Sequence, residues 1–246
     1  MTDYRTNVGA GLGSRAAVID EGLRAHMNKV YGLMSVGMLV TGGVAWAVGS
    51  NPALLGIFRD PLTLQPNILG WIVMFAPVIF AFAFAAAINR LSVAGAQFMF
   101  YAFAAVMGLS LSWIFAVFTG VSIAQTFLVT AIAFSSLSLY GYVTKRDLSG
   151  LGTFLMMGVI GLLVASVINI FLGSPAIMFA ISIIGVLIFA GLTAYDTQNI
   201  KTSYIAHAQQ ADQEWLDKSG IMGALNLYLD FINLFMFLLQ FLGNRN

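Results

Sequence analysis

The chain has 246 residues, of which 59% are hydrophobic and only 9% charged, with a net charge of +1 and no cysteine. A soluble domain usually carries about 25% charged residues, so too little polar side chain is present here to cover a water-facing surface. That excludes a water-soluble domain and a disordered chain, a basic nucleic-acid footprint, and any disulfide, thiol nucleophile or cysteine metal site.

The first 29 residues are polar. They hold Asp3, Arg5, Arg15, Asp20, Glu21, Arg24, His26 and Lys29, after which charge stops. This stretch reads as a polar, partly flexible head, flexible over 1–17. Seven apolar runs follow, near 30–49, 68–88, 98–118, 122–142, 152–172, 176–195 and 221–242. Each is near the ~20 residues a helix needs to cross a ~30 Å hydrocarbon core. Residues 91–97 read as an interfacial turn. Thr119-Gly120-Val121-Ser122 and Gly173-Ser174-Pro175 are turn signals between adjacent spans. A polar inner loop, 199–219, precedes the last span. Ala45-Trp46-Ala47 mimics a signal-peptide cleavage site, but the polar lead is too long and the first run long enough to span, so that helix is retained. The fold expected is an all-α integral membrane protein, a seven-transmembrane-helix bundle with one membrane domain over 30–246.

Lysine and arginine set the orientation. With the N-terminus cytoplasmic, the inner segments hold Arg5, Arg15, Arg24, Lys29, Arg90, Lys145, Arg146, Lys201 and Lys218, nine of the eleven. The outer segments hold Arg59 and Arg245. The C-terminus is therefore expected outside. No internal repeat marks an inverted-repeat transporter. Gly108 with Ser112, and Ala131 with Ser135, are small residues four apart that suit close helix approach.

Acids carry the chemical signal, because a charge in the bilayer costs ~2.5–3.5 kcal/mol on insertion scales. Eight of the ten lie in the head, the loops or the polar inner segment; the exceptions are Asp196, closing the sixth span, and Asp230, deep in the seventh. Asp230 lies nine residues past Ile221, roughly 13 Å above the inner end. The two meet only if helix six shifts outward or helix seven begins below the membrane plane. Ser219-Gly220 is a helix start that would allow it. Two carboxylates in contact at low dielectric share a proton. Protonated, the pair bridges; ionised, it repels and offers hard oxygens suited to Ca²⁺. The bland alternative has each aspartate bonded to a neighbour such as Asn226, Tyr228 or Asn233. Arg90 is the nearest counter-ion for a latch, although an interfacial arginine snorkelling to headgroups is the favoured reading.

His26 and His207 read as surface residues. Trp71, Tyr140 and Tyr142 suit an interfacial belt, and Asn169 is a polar group facing the bundle interior. Hydroxyl clusters at 109–112 and 135–138 read as helix-packing groups. Phosphate-loop, dinucleotide, G-x-S-x-G and H-E-x-x-H motifs are all missing from the sequence, so nucleotide, resident cofactor and enzymatic activity are not expected.

Three segments carry a family resemblance. They are Lys29-Val30-Tyr31-Gly32-Leu33-Met34, Ala194-Tyr195-Asp196-Thr197-Gln198, and Leu227-Tyr228-Leu229-Asp230-Phe231-Ile232-Asn233-Leu234-Phe235. Over nearly all of the chain after the head it resembles the Bax inhibitor family, in its bacterial branch, which includes modulators of a membrane-bound AAA protease. The resemblance implies a bundle whose last helix is wrapped by the other six. It also implies a pH-sensitive calcium leak, sensed and gated by an aspartate pair that falls on Asp196 and Asp230, with transient Ca²⁺ binding there and Tyr195, Asn226, Tyr228 and Asn233 as supporting polar groups.

Three functions compete. The leading one is a Ca²⁺ leak of the bacterial inner (plasma) membrane, with the lipid bilayer as its surroundings and Ca²⁺ as the permeant ion. The second is a non-catalytic regulator that binds an AAA protease or another membrane protein through the head or the loop 199–219 around Trp215. The third is an intramembrane aspartyl protease, for which Tyr195-Asp196 fits but Leu227-Tyr228-Leu229-Asp230 lacks the glycines that admit a substrate backbone.

Overall fold

The computed structural model describes residues 5–60, 63–210 and 212–245. Residues 1–4 of the expected flexible head lie outside the described residues. From Arg5 onward the backbone is helical, continuous with the first span as α1 (Arg5–Gly49).

Polar residues at the helix starts act as caps, the two turn signals of the sequence among them. Asn51 starts the short α2 (Pro52–Leu55), and Asn67 accepts from Gly70 N at 2.9 Å to start α3 (Ile68–Ala87). A 3₁₀ turn, Ile88–Arg90, leads to Ser92, whose hydroxyl caps α4 (Val93–Leu111) by accepting from Gly95 N at 3.1 Å. The third span thus starts five residues earlier than hydropathy suggests, because the cap, not the apolar run, sets its beginning. The short α5 (Ile114–Val117) continues it. Thr119 caps α6 (Gly120–Val143), which is followed by α7 (Ser149–Leu172). Gly173 ends α7 at φ +60°, a left-handed position that glycine takes at no steric cost. Ser174 and Pro175 then open α8 (Pro175–His207). Asp212 caps α9 (Gln213–Leu242) by accepting from Trp215 N at 2.7 Å.

Among the described residues, seven helices are long and apolar enough to cross a membrane: Ile19–Gly49, Ile68–Arg90, Val93–Val117, Gly120–Val143, Ser149–Leu172, Pro175–His207 and Gln213–Leu242. The protein is an all-α, multi-pass membrane protein. Large apolar side chains such as Leu39, Ile68, Phe82 and Phe171 face outward, as a lipid-facing surface requires.

The segment 199–219 is not a polar loop. α8 runs on to His207 and α9 begins at Gln213, so helix occupies most of it. Its composition is polar, but a buried stripe of Ile200, Leu216, Gly220 and Ile221 holds it to the bundle. Two ion pairs, Lys29–Asp217 at 2.8 Å and Lys218–Glu214 at 2.7 Å, lie along it. This extension also covers His26, which is 8% exposed rather than a surface residue. Its ring lies 4.8 Å from that of Tyr204 and faces Gly220. His207 is exposed, against Trp215 at 4.6 Å. Asn169 is buried, yet its side chain works locally, accepting from Ser174 N at 3.1 Å at the α7–α8 turn.

α9 is the most buried span: 61% of its most apolar stretch is inside, against 17–39% in the other six. Its principal neighbours are four helices, α8, α1, α6 and α4, while α3 packs on α4 and α7 on α8. Gly108 allows the α1–α4 approach, since a Cβ there would fall 2.6 Å from Thr41 O. The other small pair, Ala131 and Ser135, lines a groove between α1 and α6 instead.

Candidate functional site

Asp230 sits among the buried side chains Leu227, Tyr228, Phe231 and Leu234 and is 4% exposed. Asp196 on α8 is half-buried. The two carboxyls lie side by side, within hydrogen-bonding reach. They meet because α9 starts seventeen residues before Asp230, at Gln213, while α8 continues eleven residues past Asp196 to His207. At 1.5 Å per residue those lengths are ~25 Å and ~16 Å, so both acids stand inside long helices and neither helix end limits their level.

Asp230 Oδ2 is buried with no donor among the described residues. Two acceptor groups in contact need a proton between them. Were both ionised, charges ~4 Å apart would repel by about 4 kcal/mol at an effective dielectric near 20. The pair therefore holds either one bridging proton or a strong local repulsion.

Around Asp196, each residue of the segment 194–198 makes a different contact. The Ala194 backbone packs against Gly141 of α6, and the Tyr195 ring packs on Gly152 of α7; in both places a Cβ on the glycine would collide. Thr197 Oγ1 donates to Thr193 O at 2.8 Å and meets Ser138 Oγ at 2.9 Å. Gln198 accepts from Leu148 N at 2.8 Å and donates to Arg146 O at 2.7 Å, pinning the α6–α7 connection. In that connection, hydrogen bonds from the Ser149 hydroxyl and backbone hold the Asp147 carboxyl below the usual carboxylate range.

The other predicted residues disperse. Arg90 is exposed in the 3₁₀ turn, and among the described residues neither ion pair involves it. Tyr195 faces α7. Asn233 Nδ2 donates to Leu229 O, in its own helix, at 2.8 Å. Asn226 is half-buried on α9. Tyr228 is fully buried and meets Thr41 Oγ1 at 2.6 Å, with its ring edge-on to Phe100 and Phe103 at 5.8 Å each. The aspartates thus meet each other and not these neighbours. Among the described residues no three His, Cys, Asp or Glu side chains gather as a metal site.

Set against known proteins, residues 23–246 match the family described as "Inhibitor of apoptosis-promoting Bax1". The chain belongs to the Bax inhibitor family. Relatives of it span nearly the full length. The chain is 45% identical over 224 residues to "Inner membrane protein YbhL" of Escherichia coli K12, covering 91% of this chain and 93% of the relative. It is 43% identical over 234 residues to "Uncharacterized protein RP147" of Rickettsia prowazekii, covering 94% of each. An uncharacterized protein of Caulobacter vibrioides is 44% identical over 230 residues, covering 92% and 91%.

Sequence reasoning missed two polar nodes. In the first, Tyr31 OH meets Ser138 Oγ at 2.6 Å, and Ser138 meets Thr197. Each hydroxyl has one proton, and that of Thr197 goes to Thr193 O. Ser138 therefore donates to Thr197, and Tyr31 donates to Ser138, a directed chain ending one residue from Asp196. In the second, Thr41 donates to a carbonyl, Gly37 O at 3.0 Å or Ala104 O at 2.8 Å, so Tyr228 is the donor to Thr41. The serine cluster 135–138 gave a faint signal for the first node. Nothing in the sequence singled out Thr41.

Proposed function

We propose that the protein is a pH-sensitive calcium leak of the bacterial inner (plasma) membrane, with Asp196 and Asp230 as sensor and gate. In this reading the N-terminus is cytoplasmic, the C-terminus lies outside and α9 stands at the centre of the bundle. The observation that carries it is the buried carboxylate contact, with no cation paired to it among the described residues and no donor at Asp230 Oδ2. A shared proton bridges α8 to α9. Loss of that proton leaves two negative charges that push the helices apart and present hard oxygens to Ca²⁺. Two carboxylates fall well short of the six to eight oxygens a tight calcium site uses, which suits passage over retention. The E. coli relative, named an inner membrane protein, supports the location.

The test is Ca²⁺ entry into dye-loaded liposomes holding the purified protein, from pH 5 to 8. Flux is expected to rise with pH in the wild type and to lose that dependence in Asp196→Asn and Asp230→Asn. Flux that is absent, or present and unchanged in both variants, overturns the proposal.

A second reading is a membrane regulator that docks a membrane-bound AAA protease or another membrane protein. The hairpin tip between α8 and α9 favours it, because Trp215 is 40% exposed there beside His207. Partner co-purification that survives replacement of both aspartates and is lost in Trp215→Ala would support this role. Cleavage of a transmembrane substrate, lost with either aspartate, would instead make the pair a protease dyad.

A further inference from the structure

α1 packs on α4 and α9, and α6 packs on α8 and α9. α1 and α6 thus stand apart over α9, leaving a groove of about 1010 Å³ floored by Phe231. Along α1 it extends from Arg24 to Gly43, nineteen residues or ~28 Å; along α6 it extends from Phe127 to Tyr142, fifteen residues or ~22 Å. Both exceed the ~15 Å of one hydrocarbon leaflet. Its rims carry Leu39, 75% exposed, and Leu139, 62% exposed, so the groove opens sideways to hydrocarbon.

The lining changes along the length. At one end Arg24, Asn28 and Tyr31 face Ser138 and Tyr142; further in, Met34, Met38, Phe127 and Ala131 line it, with the hydroxyls of Ser35 and Ser135 as the polar groups and no charged side chain. Two cations stand at the polar end. Arg24 is exposed and, among the described residues, makes no ion pair, although Asp20 and Glu21 precede it by one turn. Lys201 of α8 stands beside the lining residue Tyr142, donating to its O at 2.6 Å with its ammonium 5.3 Å from that ring's centroid. A molecule with one anionic end and one long apolar end fits the gradient directly.

We propose that this groove binds a single anionic phospholipid, its phosphate between Arg24 and Lys201 and one acyl chain lying along Met34, Met38 and Ala131 over Phe231. The inference stands apart from the leak reading, since it needs neither the aspartate pair nor flux.

Gly43→Leu tests it. A Cβ at Gly43 meets nothing within 4 Å, so the leucine enters the groove without touching the bundle, and leucine favours helix over glycine. The full-length protein, stripped of lipid in detergent, is titrated with phosphatidylglycerol and separately with phosphatidylcholine, and bound lipid is counted by native mass spectrometry. The wild type is expected to retain one phosphatidylglycerol in preference to phosphatidylcholine. Arg24→Gln, a surface change, should weaken phosphatidylglycerol about fivefold, the effect of one basic side chain at an anionic headgroup, and weaken phosphatidylcholine less, because its choline ammonium offsets the charge of its phosphate. Gly43→Leu should lose retention of both lipids with a thermal midpoint at or above that of the wild type. Three outcomes overturn the proposal. Gly43→Leu retaining lipid like the wild type would mean annular lipid only. Equal retention of the two lipids by the wild type would mean no headgroup site. Cross-linking of a second protein chain through Leu39→Cys would put a protein in the groove.

Discussion

Gly108→Ala is the sharpest test of the packing. A Cβ at Gly108 would lie 2.6 Å from Thr41 O and 2.8 Å from Val44 Cβ, where ordinary contact begins at 3.4 Å. The backbone of α1 must therefore retreat from α4 by about 0.8 Å. The Thr41 hydroxyl bond to Ala104 O, one turn earlier on α4, is 2.8 Å long and would stretch to about 3.6 Å, past the range of a hydrogen bond. Losing it costs about 0.5–1.5 kcal/mol, and forcing the methyl into a packed seam costs about 1–3 kcal/mol. Alanine returns about 1 kcal/mol in helix propensity, leaving a net loss of about 0.5–3.5 kcal/mol. At about 2–4 °C per kcal/mol for a chain of this size, the thermal midpoint in detergent should fall by about 1–14 °C. Gly32→Ala is the internal control. It lies on α1 with nothing within 4 Å of the new Cβ, so the same change should leave the midpoint level or raise it. A Gly108→Ala midpoint at or above that of Gly32→Ala refutes the close-approach reading.

Three further predictions follow from single contacts. Tyr228→Phe keeps the ring against Phe100 and Phe103 but removes the donor to Thr41; unfolding in detergent should show a loss of about 0.5–1.5 kcal/mol, and no loss would mean that bond carries nothing. Gln198→Ala removes both tethers on the α6–α7 connection; trypsin should cut after Lys145 and Arg146 severalfold faster with little change in global midpoint. Asp212→Ala deletes the α9 cap at Trp215 N; hydrogen exchange should quicken over the first turn of α9, for a cost of about 1 kcal/mol.

The seven spans were legible because hydropathy marks every bilayer crossing. The ends of α8 and α9 were not, since the stretch 199–219 has the composition of a loop and only a sparse stripe at helical spacing. Missing that extension also hid the burial of His26, which depends on Tyr204 and Gly220 arriving from helices expected to end earlier. The aspartates stood out through the cost of carrying acids into a membrane, and that their levels match is a consequence of the same extension. Arg90 illustrates the limit of proximity along the chain: being at the right end of the bundle did not bring it to the pair. Hydroxyl nodes such as Ser138 and Thr41 are invisible in one sequence, because a serine or threonine that crosses to another helix looks the same as one bonded within its own turn.

The side-chain bonds among the described residues sort the molecule into two bodies. Thr41 and Tyr228, with Lys29–Asp217, tie α1, α4 and α9 together. Thr197, Gln198 and Lys201 tie α8 to α6 and to the connection before α7. Bonds joining the two bodies gather at the end where α9 finishes: Ser182 with Gln240, and Asn244 with Thr119 and Ser122. At the other end Tyr31 meets Ser138, beside the contact of the Asp196 and Asp230 carboxyls, which also crosses between the bodies. Side-chain bonds thus mark the two ends of the seam between the bodies, while packing, of α8 on α9 above all, joins them along its length.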